Sequence, residues 1–67
     1  MNRINEMTAI AANMGLSPRD AVALPTVITV AARKVGMTET AMRRELATNQ
    51  RLAAYLADVC RQAAATL

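Results

Sequence analysis

The chain has no histidine, no phenylalanine and no tryptophan, and only one tyrosine and one cysteine in its 67 residues. Each scarcity removes a class of function. Without histidine there is no Cys/His zinc set, and the commonest general base is missing. A single cysteine closes no internal disulfide. With no histidine to activate it, Cys60 reads as a small buried hydrophobe rather than a nucleophile. With so few aromatic rings there is almost nothing for unpaired bases to stack on, which argues against single-stranded nucleic acid. The two glycines form no phosphate-cradling loop, no carboxylates pair at a useful spacing, and a chain this small has little volume for a pocket. Neither an enzyme nor a bound metal or cofactor is expected. No apolar run is long enough to span a membrane, and the start lacks the charged-then-apolar pattern of a secretory signal. An unpaired cysteine suits a reducing compartment, so the expected location is the cytoplasm.

What is present is aliphatic: 54% of the residues are hydrophobic, with many alanines and five methionines. The length suits one domain, residues 1–67. Such a chain buries only about 60% of the surface its unfolded form exposes. Oligomerisation is the remaining way to gain buried area, so a homodimer is expected. The methionines stand at helical spacings and read as core filler ahead of a soft binding surface. Tyr55, with Leu52, Leu56 and Val59, makes an apolar stripe that serves either a dimer interface or packing within one subunit.

The net charge of +3 is unevenly placed. Residues 1–32 balance Arg3 and Arg19 against Glu6 and Asp20, and residues 52–67 balance Arg61 against Asp58. The segment 33–51 holds Arg33, Lys34, Arg43, Arg44 and Arg51 against Glu39 and Glu45, so the whole excess lies there. A local cationic surplus favours an anionic partner.

The pattern of apolar residues is helical throughout and predicts an all-α fold, a compact bundle of four to five short helices. Ile4, Met7, Ile10, Ala11 and Met14 line one face of a helix over 3–14, and Gly15 stands where a left-handed C-terminal residue is wanted. Ser17 caps the next helix and Pro18 takes its first position; it is short, since Pro25 either ends it or begins the one after. The β-branched run in "PTVITVAARKVG" would suit a strand, but no partner strand exists to pair its backbone. A helix over 26–35, ended by Gly36, is expected instead. Thr38 caps a further helix from Glu39, whose carboxylate suits the positive end of the dipole. Beyond it, one long helix would carry a heptad-like seam through Met42, Leu46, Asn49, Ala53, Leu56, Cys60, Ala63 and Leu67. The seam is weak in alanines, and the polar Thr48-Asn49 favours a break before a last helix over 50–64.

Ala32, Gly36, the flanking Val35 and Met37, and Met42 occupy the small, turn-glycine and apolar positions of a known motif. Residues 29–47 thereby resemble the helix-turn-helix DNA-binding domains of small bacterial, phage and plasmid regulators. The final apolar position of that motif falls on Glu45, with Leu46 one residue late. The resemblance implies a DNA-binding transcriptional regulator whose helix 39–47 enters the major groove of double-stranded DNA. It leaves Thr38, Glu39, Thr40, Arg43, Arg44 and Ala47 facing outward, with Arg33, Lys34 and Arg51 as flanking phosphate contacts. Arginine can take guanine O6 and N7 together, threonine can meet a base edge or a thymine methyl, and glutamate can accept from cytosine. An ordinary solvated helix face is the plainer reading, and Glu39 and Arg43 are spaced for a surface ion pair.

Residues 8–24 match 29–45, with Thr8/Thr29, Ala11/Ala32 and Gly15/Gly36 identical. The upstream copy would turn Ser17, Pro18, Arg19, Val22 and Ala23 outward, a surface suited to packing rather than to DNA. The alternative for the whole chain is a non-enzymatic helical protein–protein interaction module, such as a phage- or plasmid-encoded inhibitor or adaptor, which would use its apolar and methionine-rich faces.

Overall fold

Gly15 and Gly36 set the architecture, because each takes the left-handed conformation, at φ 73° and 72°, that ends one helix and redirects the chain into the next. The computed structural model describes residues 3–66, with side chains from Glu6 onward. The Ile4 side chain and Leu67, assigned above to helix faces, lie outside the described residues. Five helices follow in order: α1 (Arg3–Asn13), α2 (Pro18–Ala21), α3 (Leu24–Val35), α4 (Glu39–Thr48) and α5 (Gln50–Ala65). The described residues contain no strand.

The two glycine turns are the same device 21 residues apart. In the first, the Leu16 N–H donates to the Ala11 carbonyl at 3.0 Å and the Gly15 N–H to that of Ala12 at 3.1 Å. In the second, Met37 donates to Ala32 at 2.8 Å and Gly36 to Arg33 at 3.3 Å. The Ser17 hydroxyl then accepts the Asp20 N–H at 3.3 Å, as the Thr38 hydroxyl accepts the Ala41 N–H at 3.1 Å. The internal match in sequence is thus a match in backbone hydrogen bonding.

The copies diverge beyond the cap. α2 has four residues and α4 has ten. Val22 and Ala23 stay in right-handed helical geometry between α2 and α3. The chain therefore turns a corner there without leaving the helical region. Ala23 is buried, not outward as expected, because this corner folds under α3. α3 itself starts at Leu24, two residues before the expected position, since proline fits the first turn of a helix and Pro25 sits in it. Its β-branched run is helical, and the Thr29 hydroxyl bonds back to the Pro25 carbonyl at 3.0 Å.

Asn49 divides α4 from α5. Its backbone is extended, its N–H closes α4 onto the Glu45 carbonyl at 2.8 Å, and its side-chain oxygen accepts the Leu52 N–H at 3.0 Å. One residue thus ends one helix and begins the other, so the last two helices are separate, as expected.

Leu24, Ile28, Met42 and Cys60 are fully enclosed, and Ala11, Met14, Leu16, Ala32, Leu46, Leu56 and Ala57 close the core around them. α4 packs on α1, α3 and α5, while α2 rests on α5. The molecule measures 28 × 26 × 19 Å. Among the described residues no helix is long and apolar enough to cross a membrane.

Candidate nucleic-acid interface

α4 is held from three sides, so its orientation is fixed by packing and only a stripe of it is free. Met42 and Leu46 are its buried anchors. Leu46 fills the place that the motif assigns one residue earlier, and Glu45 is half-buried at the edge. Ala32 is buried beneath the turn, so its small side chain lets the helices approach. Val35 takes no part in this packing: at 62% exposed it lies on the side of α3 turned away from the core.

The free stripe carries Thr38, Glu39, Thr40, Arg44 and Ala47, all exposed. The Thr38 hydroxyl is committed to the Ala41 N–H. The N–H groups of Glu39 and Thr40 precede the first bonded turn and point out of the helix end, where a phosphate oxygen could accept them. Arg33 and Lys34 occupy the last turn of α3, just before this end, and Arg51 the first turn of α5, just after α4. All three are exposed. Among the described residues, none of Arg33, Lys34, Arg44 or Arg51 has a salt-bridge partner.

Arg43 is different. Its Nε donates to a Glu6 carboxylate oxygen of α1 at 3.1 Å, and its Nη2 donates to the Thr40 hydroxyl at 3.3 Å. The expected Glu39–Arg43 surface pair does not form, because α1 packs on this side of α4 and brings Glu6 closer. The other salt bridge, Asp58–Arg61 at 2.9 Å, lies within α5. Glu6 is the site residue that sequence spacing gave no sign of: it stands 37 residues from Arg43, and only the packing of α1 on α4 joins them.

The apolar stripe on α5 divides. Leu56 faces the core at 3% exposure, Leu52 and Val59 are half-buried, and Tyr55 stands 66% exposed. Tyr55 and Val59 face Thr26, Val30, Ala31 and Lys34 of α3 across an open groove of about 270 Å³. A second apolar groove of about 500 Å³ runs between α1 and α2, past Met7, Ala12, Pro18 and the exposed Val22. Cys60 is buried beneath α2, and burial pushes its thiol pKa up, reinforced by the Asp20 carboxylate and opposed by Arg61. Among the described residues no three acidic or cysteine side chains gather where they could hold a metal ion.

Comparison with protein-family models, with curated proteins and with solved structures finds no match.

Proposed function

We propose that the protein is a small DNA-binding regulator that lays α4 in the major groove of duplex DNA. The observation that carries this reading is the set of four exposed cations without a salt-bridge partner among the described residues: Arg33 and Lys34 just before α4, Arg44 on it and Arg51 just after it. Unneutralised cations on and beside a fixed helix suit the phosphates on either side of a groove, while the stripe through Thr40 and Ala47 meets base edges. A homodimer joined across the α3/α5 groove, with Val30 and Tyr55 at its centre, would present two such helices to half-sites about one helical turn apart. The test is fluorescence anisotropy of the protein against a mixed-sequence duplex at low salt. Replacing Arg44 and Arg51 together by Ala should weaken binding at least tenfold while leaving helicity intact; unchanged affinity removes this face from the reading.

A second reading has an observation of its own. Val22, Val30, Val35 and Tyr55 are large apolar side chains left exposed on so small a surface, and all but Val35 border open grooves. That pattern suits a helical inhibitor or adaptor docking on another protein. Salt separates the two readings, because an apolar interface holds its affinity where phosphate contacts lose theirs.

A further inference from the structure

Arg43 lies on the outward stripe of α4, between Thr40 one turn before it and Ala47 one turn after it, yet its side chain is only 23% exposed. A guanidinium has five N–H donors in a rigid fork. Here the side edge of that fork is occupied, with Nε on Glu6 and Nη2 on Thr40. The donors left are both hydrogens of Nη1 and one of Nη2, and one from each of these nitrogens makes the end edge. That edge matches the paired acceptors O6 and N7 of guanine. Glu6 also cancels the charge of Arg43 as a phosphate ligand, and no described residue cancels Arg33, Lys34, Arg44 or Arg51 in this way. A half-exposed ion pair adds little to stability. What this one does is fix the plane of a side chain that would otherwise move freely.

Resting on the DNA-binding reading above, we propose that Glu6 is a positioning residue: it holds Arg43 off the DNA backbone and presents the guanidinium end-on to one guanine. Arg43 is then the residue that reads sequence, and Arg33, Lys34, Arg44 and Arg51 are the residues that supply affinity. Ala47, with no side chain beyond its methyl, leaves room beside Arg43 for the base edge.

The test uses a duplex selected by the full chain from a randomised pool, together with copies in which each G·C pair in turn is changed to A·T. One such change should weaken wild-type binding by about 10- to 100-fold. Arg43→Lys keeps the charge and loses the fork, so it should bind but no longer distinguish the two pairs. Glu6→Ala should also lose the distinction. By freeing a cation, it should steepen the dependence of log affinity on log salt by about 0.9. Glu6→Gln retains an acceptor oxygen and should restore the discrimination. A purely structural tether would shift the melting temperature of Glu6→Ala and leave both the discrimination and the salt slope unchanged. That result, or undiminished discrimination in Arg43→Lys, overturns the assignment while leaving DNA binding intact. Failure of the wild-type protein to bind any duplex at low salt overturns the DNA-binding reading, and this inference with it.

Discussion

Thr38 and Ser17 do the same work at equivalent places, but only Thr38 opens a helix long enough to present a surface. Its hydroxyl satisfies the Ala41 N–H, so Thr38→Ala should lower stability by about 1 kcal/mol. In a domain of this size that corresponds to a fall of about 4–8 °C in melting temperature, read by circular dichroism. Gly36 carries a different cost. A Cβ there would meet nothing within 4 Å, so Gly36→Ala tests backbone conformation alone. A non-glycine residue held in the left-handed region should cost about 1–2 kcal/mol. Cys60 makes the pH dependence asymmetric. Burial raises its folded-state pKa above the ordinary 9.0, so the folded thiol keeps a proton that the unfolded chain has already released. Stability from this source is complete below pH 9.0 and declines as the pH rises beyond it. A Cys60→Ala variant should lack that alkaline decline in a series of melting curves.

At the scale of elements, the sequence is most legible where backbone chemistry is local. The left-handed glycines, the Ser17, Thr38 and Asn49 caps and the proline positions each act within four residues, and the helices follow those signals, with α3 starting two residues earlier than expected. The β-branched run of α3 was readable by elimination, since a lone strand leaves its hydrogen bonds unmade. Legibility ends where helices meet. Nothing in the spacing of Val35 separates it from a core residue, and nothing in that of Arg43 marks α1 as its neighbour. Both outcomes depend on the angles at which α3, α4 and α1 pack. Leu56 shows the same limit: the apolar stripe on α5 was plain, but which side of it faced inward was settled only by α2 and α3 resting there. Asn49 gives the test at this scale. Asn49→Ala removes the N-cap of α5 and should destabilise the fold by about 1 kcal/mol, while total helicity holds or rises as α4 and α5 lose the residue that separates them.

For the whole molecule, the deciding feature is where charge and apolar surface fall. The net +3 resides in residues 33–51, where one cation pairs with Glu6 and the other four have no salt-bridge partner among the described residues. The exposed Val30 and Tyr55 lie beside the open α3/α5 groove, in which Lys34 also takes part. On the proposed reading, α4 binds DNA while α3 and α5 pair with a second copy. Sedimentation should then show a dimer that Val30→Asp converts to a monomer.

The measurement that bears most directly on the central claim is the salt dependence of duplex binding by the unmodified protein, followed by anisotropy from low to physiological ionic strength. Four free cations on phosphates predict a slope of log affinity against log salt of about −3 to −4 per subunit, since each neutralised phosphate contributes about −0.9. A flat slope, or no binding at low salt, would contradict the claim and leave α4 as a packed helix with a solvated face.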